Sequence, residues 1–198
     1  FGVANFIGSP VLGALSDRLA EAGMQVLLGH SGYDVVEEEI LIEQLLRRRP
    51  EAIVVTGGRH TERTRKMLLN SGIPVIETWD LPEDPIGHVV GFSNAATMQG
   101  MVDHLVAKGL QRIAFIGGDT DGDTRGADRR RGFIAAMQGH ALDASRLIGA
   151  GKPPISMREG ATAMGHLLAD LPDTQAVICV SDLSAFGALT ECQRRGVR

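Results

Sequence analysis

Polar residues that could grip a hydroxylated small molecule recur at one kind of place, just after short runs of β-branched and apolar residues. They are Thr56-Gly57-Gly58, Thr78-Trp79-Asp80, Ser93-Asn94, the stretch from Gly118-Asp119 to Arg131, and Ser181-Asp182. In open parallel sheets ligands collect at the carboxyl ends of strands, where loops and helix N-termini offer unpaired N–H groups. The side chains at these five places suit hydroxyls, and they include the only tryptophan. Trp79 suits a core position as well as a stacking platform.

Patterns for other chemistries fail. Asp119-Thr-Asp121-Gly-Asp123 opens like a calcium loop, but the sixth residue is Thr124 where glycine is required and the twelfth is Arg130 where glutamate is required. The pairs Gly57-Gly58 and Gly117-Gly118 complete neither nucleotide-binding glycine pattern, and the loop after Gly118 is acidic, which repels phosphate. Ser181 has no nucleophile-elbow neighbours. His30, His60, His88, His104, His140 and His166 are scattered, with no paired metal spacing. Cys179 and Cys192 match no zinc pattern and read as reduced thiols, consistent with cytoplasm. No cofactor or metal is expected, and nothing in the sequence requires an enzyme.

The elements that must position these loops are legible from pattern. Strands are expected over residues 24–28, 52–56, 73–77, 88–92, 112–117 and 176–180, most of them continuously apolar, as in parallel strands covered on both faces. Between them lie helices. Ser9-Pro10 starts one that Gly23 ends; Asp34 with Glu37 resembles a capping box for another that closes at Arg47-Arg48-Arg49-Pro50. That arginine run reads as a solvated helix end rather than a nucleic-acid contact. Residues 61–71 form a further helix ended by Gly72, and Met98, Met101, Val102 and Leu105 line one that ends at Gly109. The last helices are expected over 128–138, 159–169 and 183–195. Strand–helix alternation at this rhythm predicts an α/β fold with parallel sheets and right-handed crossovers.

The chain has 198 residues, 43% apolar and 22% charged, with a net charge of −4. That is room for one α/β domain or for two small lobes. A self-sufficient nucleic-acid binder carries a basic surplus, which is missing here, so any DNA contact must come from elsewhere. No apolar run approaches the ~20 residues needed to cross a bilayer. The chain opens and closes on helices without flanking strands, so an incomplete fold at both ends is expected.

Several strings resemble the lactose-repressor (LacI/GalR) family of transcription regulators. Gly109-Leu-Gln-Arg-Ile-Ala-Phe-Ile-Gly-Gly118 is similar to the phrase that opens the family's second lobe, and Gly126-Ala-Asp-Arg-Arg-Arg-Gly-Phe133 to the arginine-bearing helix start that follows. Ala176-Val-Ile-Cys-Val-Ser-Asp182, with Ala185-Phe-Gly-Ala-Leu189, resembles its last strand and apolar helix, and Ala4-Asn5 with the helix that ends at Gly23 its first loop and helix. Glu77-Thr78-Trp79-Asp80-Leu81-Pro82, followed by Val90-Gly91-Phe92-Ser93-Asn94, resembles the gluconate-operon repressor branch.

The resemblance implies a type I periplasmic-binding-protein-like effector domain with two lobes around a sugar-sized cleft, the first near 1–110 and the second near 111–198. It also implies a cytoplasmic repressor, a homodimer, and operator DNA read by an N-terminal helix-turn-helix outside this sequence. Arg129 falls at the family's effector-binding arginine; a guanidinium fork can hold vicinal hydroxyls or a carboxylate with parallel bonds. Asp182 falls at the acid after the last strand, an acceptor for sugar hydroxyls that also suits an N-cap; Ser181 stands before it where Asn is usual. Thr56, Trp79 and Ser93 fall at strand ends, Ile7 and Gly8 in the first loop, and Ile155 where sugar binders present an aromatic. Many members have Asp at the place of Trp79. Losing that acid while keeping Arg129 suits an effector with its own carboxylate, since like charges repel. Two rivals stand beside this reading: a periplasmic sugar-binding protein of a transport system, and an α/β enzyme acting on a sugar or nucleotide.

Overall fold

The computed structural model describes residues 10–119 and 122–197. Ile7, Gly8 and the Ser9 cap, with Ala4 and Asn5, lie outside the described residues, as do Thr120 and Asp121 of the acidic loop. The chain divides into two compact units, one up to Gly91 and one from Phe92 onward.

The first unit carries α1 (Pro10–Glu21), α2 (Val35–Leu46), β1 (Ile53–Thr56), α3 (Glu62–Leu69), β2 (Val75–Thr78) and β3 (His88–Val90). Helix α1 ends as a glycine stop should. Gly23 takes φ +73°, and the amides of Gly23 and Met24 turn back to the carbonyls of Ala20 and Leu19. Asp34 caps α2 by accepting the amides of Val36 and Glu37. The three strands form a parallel sheet in the order β1-β2-β3. Ile42 of α2 and Leu68 of α3 pack on Ile53, Val55 and Val75 to form the core. Burial alternates along β1 and β2, so these strands are closed on one face and half-covered on the other. The strand expected over 24–28 does not form among the described residues, and Met24, Leu27 and Leu28 are exposed. An apolar run becomes a strand only where a neighbour completes its hydrogen bonds.

The second unit carries α4 (Asn94–Ala107), β4 (Ile113–Ile116), α5 (Thr124–Gly139), β5 (Leu147–Ile148), α6 (Met157–Asp170), β6 (Ala176–Cys179) and α7 (Asp182–Arg194). Its parallel sheet runs β5-β4-β6. The two-residue β5 is not among the strands expected from the sequence; it is too short to carry a periodic signal. Helix α4, expected with the first lobe, packs against α5 in this unit.

Strand β4 is buried at every position, as its continuous apolar pattern requires. Ile113 and Phe115 face Met98 and Val102 of α4 and Phe133 and Met137 of α5, with the Phe115 and Phe133 rings stacked at 5.4 Å. Ala114 and Ile116 face Ala163, Met164 and Leu167 of α6 and Ala188 of α7. Glycines let each helix pair close. A Cβ on Gly132 would lie 2.3 Å from the Ala95 carbonyl oxygen, and one on Gly187 would lie 2.0 Å from that of Met157.

Candidate functional site

The carboxyl ends of β4 and β6 bring together the polar residues of the second unit. The chain leaves β4 through Gly117 and Gly118, both at positive φ. A Cβ on Gly118 would sit 2.3 Å from the Gly126 carbonyl oxygen, so this turn lies directly against the first turn of α5. Asp123 caps α5 by accepting the Gly126 amide at 2.9 Å.

This start fixes the direction of three consecutive arginines. Arg131 is on the outer surface and pairs with Asp128 at 2.8 Å. Arg130 turns back to donate to the Gly117 carbonyl at 3.2 Å. Arg129, half-buried, donates from Nε to Asn94 Oδ1 at 2.9 Å and from Nη1 to the Val180 carbonyl at 2.7 Å. Val180 directly follows β6, so the Arg129 guanidinium is held at that strand's carboxyl end. Asp182 is two residues further on and exposed in the first turn of α7. The N-cap there is Ser181, which accepts the Ser184 amide. Capping therefore does not occupy the Asp182 carboxylate.

Ser93 caps α4 by accepting the Ala96 amide at 3.1 Å. Its neighbour Asn94 is 1% exposed. In the sequence Asn94 stands out only as part of a strand-end loop, yet it is the partner that orients Arg129. A signal exists: Asn94, Met98 and Val102 share one buried face at helical spacing, and a polar residue in such a row needs a partner. Ile155, expected beside the effector, is buried in the core cluster that holds Met98 and Phe133. An isoleucine at that place is better buried than exposed, since it has a large apolar surface and no polar tip.

In the first unit the same kind of place holds Thr56, Trp79 and Asp80. The Thr56 hydroxyl is buried and has no hydrogen-bond partner among the described residues. Asp80, itself buried, accepts the Leu81 amide at 2.9 Å and the Gly58 amide at 3.3 Å, which ties the loop after β2 to the loop after β1. Trp79 is half-buried, at a φ of +66°, and its amide donates to the Val90 carbonyl at 3.2 Å. A bulky residue at positive φ is costly, and such positions concentrate at ligand-gripping loops.

Among the described residues no group of three or more His, Cys, Asp or Glu is placed to hold a metal ion, and no helix is long and apolar enough to cross a membrane. Cys179 and Cys192 are free, and burial pushes the Cys179 thiol up to about 11 despite a hydrogen bond with Ser184.

Residues 10–198 match the family described as periplasmic binding proteins and the sugar binding domain of the LacI family. The chain belongs to that family. Among its relatives, the HTH-type transcriptional regulator GntR of Pseudomonas aeruginosa is 34% identical over 196 residues, which is 99% of this chain and 57% of that protein. The HTH-type transcriptional regulator IdnR of Escherichia coli is 30% identical, over 98% of this chain and 57% of the relative. The chain thus spans little more than half the length of these regulators. Among solved structures, a LacI family transcriptional regulator from Silicibacter pomeroyi superposes with a TM-score of 0.91 at 41% identity, covering 97% of this chain and 73% of the other. The transcription regulator GntR from Chromobacterium violaceum superposes at 0.85 with 32% identity, covering 99% and 71%. The type I periplasmic-binding-like fold expected from the sequence is therefore the fold of this chain.

Proposed function

We propose that this chain is the effector-sensing domain of a cytoplasmic LacI-family transcriptional repressor, and that its effector is a sugar acid of the gluconate type. The observation that carries this reading is the Arg129 guanidinium, fixed by Asn94 and Val180 at the carboxyl end of β6. A planar fork held in one orientation suits bidentate recognition of a carboxylate. Asp182, exposed two residues beyond Val180, accepts hydrogens from the effector's hydroxyls. In the first unit, taken by itself, the residues we assign to effector contact are Thr56, whose buried hydroxyl has no hydrogen-bond partner among the described residues, and Trp79, whose ring offers an apolar face for sugar C–H groups. Ser93, Ile7 and Gly8 complete the set of effector contacts, and Ile155 supports it from the core.

No bond is made or broken under this reading. The effector acts by binding one arrangement of the dimeric repressor better than another, and it shifts the equilibrium by that difference in affinity alone. Operator DNA is contacted by a helix-turn-helix outside this sequence, the element that the names of the HTH-type relatives carry, and the net charge of −4 gives the domain itself no phosphate-binding surplus. The family also holds periplasmic binding proteins. The relatives named as transcriptional regulators, at 34% and 30% identity, favour the regulator.

Calorimetric titration of the full-length protein against gluconate, other sugar acids and neutral sugars tests the proposal. The expected result is saturable binding of a sugar acid that Arg129→Ala abolishes. Binding of neutral sugars with sugar acids ignored would overturn the effector assignment.

A further inference from the structure

The first unit buries a set of ionisable side chains that effector contact does not use. His60 lies just before Thr61, the N-cap of α3, and its side chain is 2% exposed. Its Nδ1 is 2.6 Å from Glu38 Oε1 on α2, and its Nε2 is 3.6 Å from Glu77 Oε1 on β2. The Glu77 side chain is fully buried, and its other oxygen accepts the Ile86 amide at 2.7 Å. Among the described residues neither His60 Nε2 nor Glu77 Oε1 has a hydrogen-bond partner, so each is a buried polar atom facing the other across that gap.

The charged groups around His60 come from each element packed there. Helix α2 brings Glu38 and Glu39, and Glu39 is already engaged by the Thr61 hydroxyl and by Arg63 at 3.1 Å. The segment into α3 brings Arg59, and α3 brings Arg63 and Arg65, the latter pairing with Asp84 of the loop after β2 at 2.5 Å. Strand β2 brings Glu77, and β3 brings His88, in register with Ile76.

A neutral imidazole has one N–H and can donate to one carboxylate only, whereas the cation donates from both nitrogens. A carboxylate at each ring nitrogen therefore matches the cation. We propose that His60 is a positioning residue: as a cation it bridges Glu38 and Glu77, and through Glu77 and Ile86 it holds the 79–87 loop that presents Trp79. The relevance to effector binding rests on the role given to Trp79 above; the latch itself does not.

Once His60 loses its proton, its single N–H stays with Glu38, the nearer partner, and Glu77 Oε1 is left facing a bare ring nitrogen. An uncompensated buried charge is costly, so Glu77 moves toward water and releases the Ile86 amide. Burial opposes the charge on His60, but the hydrogen bond and charge of Glu38, joined by the pull of Glu77, outweigh it and raise the ring above its ordinary value of 6.5. The latch is thus fully closed below 6.5 and opens as pH rises through the raised value.

Trp79 is the only tryptophan of this sequence, and the part of the full-length protein's emission that Trp79→Phe removes reports this loop. Emission of the full-length protein without effector is followed from about pH 6 to about pH 9.5, beside the imidazole NMR signals of His60. The expected result is a His60 titration above 6.5 and a Trp79 emission shift with the same midpoint, the shift being lost in His60→Gln and in Glu77→Gln. A His60 titration at or below 6.5, emission that stays flat through it, or a step that survives His60→Gln would overturn the proposal. If either variant fails to fold, the two wild-type titrations decide by themselves. Absence of sugar-acid binding at every pH would sink the effector reading and leave the latch standing.

Discussion

At the scale of single residues, direction matters more than type. Arg129, Arg130 and Arg131 are chemically identical, yet one meets Asn94 and Val180, one the Gly117 carbonyl and one Asp128. The first alone is held at the end of β6. Asn94 is what holds its Nε, so Asn94→Leu should weaken sugar-acid binding about tenfold or more while Arg129 remains, because a charge-assisted bond is worth ~1.5–3 kcal/mol. Asn94→Asp keeps the acceptor but adds a negative charge beside the fork. It should keep the fold and lower affinity for sugar acids more than for neutral sugars. Calorimetry on both variants checks this; equal losses for acids and neutral sugars would assign Asn94 a packing role only.

Among the elements, the pairing of α6 with α7 is the tightest constraint. Gly187 approaches the Met157 carbonyl and Gly160 the Ser184 carbonyl, each where a Cβ would fall at 2.0–2.3 Å. Gly187→Ala must push the helices apart, and overpacking of this kind costs about 1–3 kcal/mol. The expected result is a lower Tm with unchanged secondary structure at room temperature. The same helices carry strongly acidic carboxyls. The Ser156 hydroxyl, Arg158 and the Ser156 amide hold Glu159 at about 2, and Arg194 and Arg195 hold Glu191 at about 2, both from 4.5. Folded values below the unfolded ones mean that this stability is present above 4.5 and is lost as pH falls toward 2. Acid unfolding followed by circular dichroism should begin in that window. Glu159→Gln, which keeps the capping box without the titration, should make the transition less steep.

At the scale of the whole molecule, both units lose carboxylate contacts on the acid side, Glu43 in the first and Glu159 and Glu191 in the second, and the first also loses the His60 bridge on the alkaline side. Their sheets also differ. The second unit sandwiches β4 between two helix pairs, and the first closes β1 and β2 on one face. Expected and observed strands agree best at β4, where an unbroken apolar run is buried on both sides, and fail at 24–28, where the apolar run has no paired neighbour among the described residues.

The sequence by itself determined the alternation of helices and strands, the Asp34 cap and the family, because these depend on side chains within a few positions of one another. Asp34 caps α2 through a contact two residues away; Ser93 and Ser156 cap just as locally but are not singled out as caps in the sequence. The partners of the buried polar groups were decided only by the tertiary structure. Asn94 and Arg129 are 35 residues apart, and Glu38 and His60 are 22 apart, so no local pattern reveals either pair. The burial of Ile155 and the placing of α4 in the second unit belong to the same level. Each depends on which surfaces meet when distant segments pack, and hydrophobic burial, which drives that meeting, has no direction of its own along the chain.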